Sequence, residues 1–317
     1  MRAAVQDAYG GPEVVRIAEI PRPEPRPGEV LIRAHATTVA TGDWRMRSAT
    51  VPDGFGLIGF FLFARKPRAR ILGTELAGVI EAVGQGVTEW NVGDEVFAFP
   101  GGKMGAHAEF VPVRAERVAR KPANLSFETA AALCFGGSTA LSFIEKAGGL
   151  HPGQRVLVVG ASGSVGSAMV QLAKHFGTHV TAVCSTANIE LVRGLGADEA
   201  IDYTQTDFTT SSETYDIIVD TTASIPSAKA RPRLAPGGRF LVINGSMGDL
   251  LRSIFSRQII AGPADEDPAH LPKLADLAEA GVLNPLIDEV FAFDDITEAH
   301  RRVDTGRKRG NVVVSLE

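Results

Sequence analysis

Residues 155–177 read RVLVVGASGSVGSAMVQLAKHFG, and the fold is decided there. RVLVVG (155–160) is a continuous branched apolar run, the pattern of a strand covered on both faces. From Ser164 onward the periodicity changes: Val165, Ala168, Met169, Leu172, Ala173 and Phe176 fall on one helical face. Gly177 stops that helix. Between strand and helix lie Gly160, Gly163 and Gly166. A tight turn of this kind lets backbone N–H groups approach a pyrophosphate, and the helix N-terminus adds positive potential. Gly166, with no side chain, lets the helix lie close to the strand. The usual fingerprint is GxGxxG; here Ala161 takes the first position and Gly160 precedes it. A purely structural strand–helix turn is the competing reading. The preceding strand, the following helix and a second strand on schedule at HVTAVCS (179–185) favour dinucleotide binding. The candidate cofactor-binding residues of the turn are Gly160, Ser162, Gly163, Ser164, Val165 and Gly166.

The end of the second strand selects the cofactor. An acidic residue there grips the ribose 2′-hydroxyl of NAD. Here the chain continues Cys184-Ser185-Thr186-Ala187-Asn188, with no carboxylate before Glu190. Small hydroxyls hydrogen-bond a 2′-phosphate, so Ser185 and Thr186 point to NADP. A cation is missing: Ala187 stands where an arginine would help, and Arg193 lies further along the next helix.

Outward from this unit, EAIDY (199–203), YDIIVDTT (215–222) and RFLVING (239–245) are further strands, and NIELVRGLG (188–196) is a short helix. Alternating strands and helices predict an α/β fold with a Rossmann-type doubly wound parallel sheet. Upstream of residue 124 the texture is β-rich, with EVLIRAHATTV (29–39), AGVIEAVG (77–84) and EVFAF (95–99) as strand candidates. Residues 123–148 are alanine-rich and helical. The tail, with the helix AHLPKLADLAEAG and the strand NVVVSLE, returns to the first texture. The expected domains are therefore 1–123 with 262–317, and 124–261.

The bulk numbers narrow the function classes. The 317 residues carry a formal net charge of −5, which offers nothing to nucleic acid. Cys134 and Cys184 lie far apart and suit a reducing compartment, so a cytoplasmic location is expected. No metal site is expected from them and seven scattered histidines. The longest apolar run, FGLIGFFLFA (55–64), falls short of the roughly 20 residues that cross a bilayer. It reads as a flap over an apolar pocket, with an interfacial segment as the alternative.

Four segments together resemble one family, the medium-chain dehydrogenase/reductases, in their zinc-independent quinone oxidoreductase-like branch. They are PRPGEVLIRAHATTVATGDWRMR, LGTELAGVIEAVGQGVTEWNVGDEVFAF, ANLSFETAAALCFGGSTAL and GASGSVGSAMVQLAKHFGTHVTAVCST with the following LGADEAIDY. The resemblance covers nearly the whole chain and implies a GroES-like barrel for the β-rich domain. In the zinc alcohol dehydrogenases of the superfamily the stretch at 73–78 reads Gly-His-Glu-x-x-Gly, and its His binds catalytic zinc. Here Thr74 takes the His position, and the other two ligand positions align with Ala40 and near Phe135. Three protein ligands are needed for catalytic zinc, and none remains.

The resemblance implies hydride transfer from NADPH to an acceptor whose own π-system takes the electrons, a quinone or an α,β-unsaturated carbonyl (enone or enal). It places Thr139 near the nicotinamide and Tyr203 near the 2′-phosphate. Thr222, Asn244 and Gly245 would line the cofactor after their strands. Two positions depart from the pattern: Ala40 replaces a usual Asn, and Asn311 replaces the lysine before the last strand. Thr41 and Asp43 are the candidate proton-handling residues, with a turn or salt-bridge role as the alternative for Asp43. Ala40, Trp44, Phe60, Thr74 and Phe135 are the candidate substrate pocket. A homodimer is implied. Two other functions compete: an NADPH-binding sensor or scaffold without turnover, and an alcohol or aldehyde dehydrogenase.

Overall fold

The structure, a computed structural model, describes residues 1–63 and 66–316; the side chains of Ile58, Phe60 and Leu62 are outside that description. The expected pocket role of Phe60 therefore falls outside the described residues. The chain divides into two compact units, one of Met1–Val51, Ile58–Phe135 and Asp267–Glu317, the other of Pro52–Leu57 and Gly136–Glu266. In chain order come β1 (Arg2–Gln6), β2 (Val15–Glu19), β3 (Glu29–Val39), α1 (Thr41–Ser48), α2 (Gly56–Phe63), β4 (Leu76–Val83), β5 (Glu95–Ala98), β6 (Phe110–Arg114), β7 (Val118–Arg120) and α3 (Phe127–Ala131). Then follow α4 (Cys134–Lys146), β8 (Arg155–Val159), α5 (Ser164–His175), β9 (His179–Cys184), α6 (Ile189–Gly194), β10 (Glu199–Asp202), β11 (Tyr215–Asp220), α7 (Ser227–Ala230), β12 (Leu234–Ile243), α8 (Met247–Phe255) and β13 (Ile259–Gly262). The chain closes with α9 (His270–Glu279), β14 (Ile287–Ala292), α10 (Ile296–Asp304) and β15 (Asn311–Ser315).

The first unit is built on a sheet in the order β14-β15-β3-β4-β5-β7, with β6 also paired to β3. Its long central strand β3 bends at two register shifts, Leu31/Ile32 and Ala34/Ala36, which let one strand serve β4, β6 and β15. Val30, Ile32, Leu76, Ile80, Val96 and Val111 fill one core. A second apolar cluster gathers Val39, Phe293, Ile296, Val303, Val312 and Val314, and Trp44 packs against it. Trp44 is thus a partly buried core-side residue of α1.

The second unit is a six-stranded parallel sheet in the order β10-β9-β8-β11-β12-β13. The doubly wound sheet read from the continuous apolar strands is present. Chain order reverses beside β8, whose Val159 pairs with Val183 of β9 and Asp220 of β11. The carboxyl ends of strands flanking such a switch point form the ligand crevice of this architecture.

The unit boundaries at 135/136 and 266/267 lie beyond the expected 123/124 and 261/262. Helix α3 packs on β3 and β4 and stays with the first unit. On the other side, Asp265 N donates to Ser142 Oγ at 2.8 Å and Lys146 Nζ to Pro263 O at 2.7 Å, holding the segment after β13 to α4. Residues 127–146 have the length and apolarity of a membrane span, but 78% of the stretch is buried inside the protein. It is the α3–α4 core segment.

Candidate cofactor and active site

The glycine turn after β8 has the geometry its sequence requires. Gly160 adopts φ 74°, in the left-handed region. A Cβ there would stand 2.5 Å from Thr221 Oγ1 and 2.6 Å from Thr222 Cγ2. A Cβ on Gly166 would stand 2.1 Å from Gly160 O, so the close approach of α5 to β8 depends on that glycine. Gly163 is the N-cap of α5 and places no side chain over the helix end. The first amides of an α-helix lack intrahelical acceptors, and here they lie at the turn. Ser164 Oγ is buried without a partner, and Gly136 on α4 packs so closely on Ser164 that a Cβ would meet its oxygens at 2.7 Å. Sequence reasoning passed over Gly136, although a glycine inside a helix costs about 1 kcal/mol against alanine and so signals a close approach.

Beside this turn lies a cavity of about 450 Å³, lined in part by Gly160, Val183, Tyr203, Thr222, Ile225 and Lys229. It brings residues after β8, β10 and β11 together beside Val183 of β9, among them the expected Tyr203 and Thr222. The loop carrying Thr222 is fixed by buried Asp220: Oδ1 accepts from Thr222 N at 2.9 Å and Thr222 Oγ1 at 2.7 Å, and Oδ2 accepts from Ile225 N at 2.7 Å. Asn244 follows β12 in the left-handed region at φ 61°, and Gly245 sits where a Cβ would meet Val242 Cγ1 at 2.9 Å. Thr139 is buried on α4. Ser185 caps the turn after β9, and Asn188 Nδ2 donates to Ser162 Oγ at 3.0 Å and to Ser185 Oγ at 3.3 Å. Val165 is buried in the first turn of α5. A turn whose Gly160 and Gly166 leave no room for a Cβ, an unpartnered buried hydroxyl and an adjoining cavity fit a dinucleotide.

In the first unit, two buried carboxylates hold the active-site turn. Asp43 is fully buried; its Oδ2 accepts from Ala40 N and its Oδ1 from Gly73 N, both at 2.7 Å. Burial pushes its carboxyl up, while His107 and these amides pull it down. Both oxygens of Asp43 are therefore spent on the backbone at the start of α1, the structural alternative named for it above. Glu75 takes Thr38 Oγ1 on one oxygen and Phe135 N, at 2.6 Å, on the other. Burial raises the Glu75 carboxyl to about 7, against the pull of its hydrogen bonds and of Lys308. Burial of the Lys308 ammonium lowers it to about 8, against the pull of Glu75 and Asp288.

These ties bring the positions flagged in the sequence to one place. A Cβ on Gly42 would lie 3.6 Å from Phe135 Cε2 and 3.8 Å from Thr74 Cγ2. Thr74 Oγ1 is buried with no partner. Thr41 begins α1, and Ala40 is its N-cap. His107 is buried with Nε2 on Thr38 O at 2.9 Å, and His35 stacks on Phe127. Asn311, expected at the cofactor, uses its Nδ2 on Leu286 O at 3.0 Å within the first unit. Its backbone N–H goes to the same carbonyl at 2.8 Å. It closes the β14–β15 connection; of the cations Arg307, Lys308 and Arg309 that precede it, Lys308 is the one whose charge acts on Glu75.

By the resemblance, the positions that hold zinc in the alcohol dehydrogenases align with Ala40, with Thr74 and near Phe135. Among the described residues, no group of three or more His, Cys, Asp and Glu stands close enough to hold a metal ion. Cys134 is a lone buried thiol, its Sγ directed to Ala98 O. A methyl, one hydroxyl and a phenyl ring do not fit catalytic zinc.

Comparison with known proteins agrees with this geometry. Residues 26–123 match the alcohol dehydrogenase GroES-like domain, and residues 195–314 match the zinc-binding dehydrogenase family model. The chain is 32% identical to the mitochondrial NAD(P)H oxidoreductase RTN4IP1 of Bos taurus over 365 residues, covering 100% of this chain and 89% of that protein. It is 33% identical to the 2-methylene-furan-3-one reductase of Solanum lycopersicum over 326 residues, covering 99% and 79%. The solved structure of the quinone oxidoreductase from Coxiella burnetii superposes with a TM-score of 0.88 at 26% identity, covering 100% of this chain and 99% of that one. With a GroES-like first unit, a doubly wound second unit and relatives that match along its full length, the chain belongs to the medium-chain dehydrogenase/reductase superfamily, in its quinone oxidoreductase-like branch.

Proposed function

We propose that this protein is a zinc-independent oxidoreductase that moves hydride from NADPH to a quinone or to an enone or enal. One observation carries the reading: Gly160 and Gly166 leave no room for a Cβ at the nucleotide turn, while Thr74 and Phe135, at or near the zinc-ligand positions by the resemblance, meet beside Gly42. Without a Lewis acid at that place, a saturated carbonyl lacks the strong polarisation a metal would give it. A quinone or an unsaturated carbonyl accepts electrons into its own conjugated system. The relatives named as a quinone oxidoreductase and a furanone reductase support the same acceptor classes.

A bound nicotinamide supplies the hydride. The chain's own residues bind, orient and keep the site dry. The glycine turn takes the pyrophosphate, and Thr139 on α4 is assigned to the nicotinamide end. Thr74 Oγ1, buried and unpartnered, is assigned to the acceptor oxygen, where a hydrogen bond strengthens as negative charge develops. Thr41, on the first turn of α1, is assigned to delivering the completing proton from water. Asp43 and Glu75 are positioning residues that keep Ala40, Gly73 and Phe135 in place.

For the cofactor we propose NADP(H) as the preferred form, with Ser185, Asn188 and Tyr203 about the adenosine ribose. We also propose a cytoplasmic homodimer. The edge strand β13 pairs only with β12 among the described residues, and α8 beside it exposes Leu251, Ile254 and Phe255. The two free buried thiols suit a reducing compartment.

The test is cofactor oxidation by purified protein in EDTA, with NADPH and NADH in parallel, against a small quinone, an enone, an enal and a saturated aldehyde. Turnover of the quinone or enone and not of the saturated aldehyde is expected. Reduction of the saturated aldehyde that EDTA abolishes would make it an alcohol dehydrogenase. Tight NADPH binding with no turnover on any acceptor would favour the sensor module.

A further inference from the structure

The hydroxyl of Thr186 is not free. It donates to Asp202 Oδ2 at 2.5 Å. Asp202 is the last residue of β10 and stands in register with Cys184, the last residue of β9. Its Oδ1 accepts from Thr204 N at 2.9 Å and Thr204 Oγ1 at 2.7 Å. Thr186, then Thr204, hold the carboxyl below its usual range, so it is ionised at neutral pH. The end of the second strand therefore carries a fixed carboxylate, supplied by its neighbour in the sheet.

No basic residue lies within residues 184–192 to offset it, and Lys229, from α7, lines the cavity beside Tyr203. Arg193 is paired with Glu190 at 2.8 Å. Position 188 holds the neutral Asn188, engaged with Ser162 and Ser185. In a dinucleotide fold the adenosine ribose hydroxyls fall at the end of the second strand. A 2′-phosphate there brings a charge of about −1.5 to −2.

We infer that Asp202 is the specificity-determining residue at the adenosine ribose, opposing the 2′-phosphate of NADP so that the site accepts NAD(H) alongside NADP(H). This rests on the nucleotide site proposed above. Ser185 and Asn188 still offer polar contact to a phosphate, and Asp202 offsets it. Repulsion between two like-charged groups in a solvent-exposed site amounts to about tenfold in affinity.

The test is calorimetric binding of two adenosine fragments to the full-length protein, 2′,5′-ADP for the NADP end and 5′-AMP for the NAD end. Asp202→Asn is expected to tighten 2′,5′-ADP by about tenfold and to change 5′-AMP by less than about twofold. The gain should shrink with added salt, because the site is exposed. Asp202→Ser should act in the same direction, which separates charge from the fit of one side chain. With both fragments bound, an unchanged affinity ratio in both variants overturns the inference and leaves the proposed function standing. If wild type binds neither fragment, the nucleotide site and the inference fall together.

Discussion

Asp43 shows how one residue separates structure from chemistry. Both its oxygens accept backbone N–H groups at 2.7 Å. An Asn there accepts only one of them and presents its NH₂ to the other. Asp43→Asn should therefore cost about 1–3 kcal/mol of stability, read by urea unfolding, while the folded variant keeps wild-type kcat. Loss of kcat at unchanged stability would instead make it a proton carrier. Glu75 supplies a pH signature. Its carboxyl rises from 4.5 to about 7 in the folded chain, so between those values the native state binds more protons than the unfolded state. Stability from this group is then full below pH 4.5 and is lost as pH rises towards 7. Glu75→Gln, which cannot ionise, should gain on wild type by on the order of 1 kcal/mol between pH 5 and pH 8. A difference that stays flat across that range would contradict it. Lys308, lowered from 10.5 to about 8, acts oppositely: its desolvation cost is relieved as pH rises above about 8.

At the scale of elements, the glycine turn was legible because everything it needs is local. The strand, the three glycines and the helix periodicity lie within 155–177, and the turn forms as they dictate. It predicts a sharp contrast between two small changes. Gly166→Ala puts a methyl 2.1 Å from Gly160 O and should cost about 3 kcal/mol or more together with nucleotide binding. Gly163→Ala meets Gly160 O only at 3.4 Å and should cost less than about 1 kcal/mol. Equal costs in thermal unfolding would mean that α5 does not lie on β8 as described. The adenosine end was less legible. Reading the second strand alone showed no acid, because the carboxylate arrives from β10, a neighbour only in the sheet. The electrostatic influence of Lys308 on Glu75 was hidden for the same reason, since the two lie far apart in sequence. The bond from Asn311 to Leu286 O was not legible either, because position in a motif does not say which carbonyl a side chain reaches.

For the whole molecule, the lost zinc ligands and the kept nucleotide cradle make one statement about chemistry. The assembly prediction is separate: Phe255, 87% exposed on α8, should lie in the homodimer interface. Phe255→Lys should shift sedimentation from dimer towards monomer, and an unchanged dimer would place the interface elsewhere. That hydride reaches carbon without a metal is tested by locating that hydride in the product. An enone would be reduced in EDTA with nicotinamide-deuterated NADPH, and the product analysed by mass spectrometry and NMR. Deuterium is expected on the carbon β to an intact carbonyl. Deuterium on the carbonyl carbon of an allylic alcohol would contradict it.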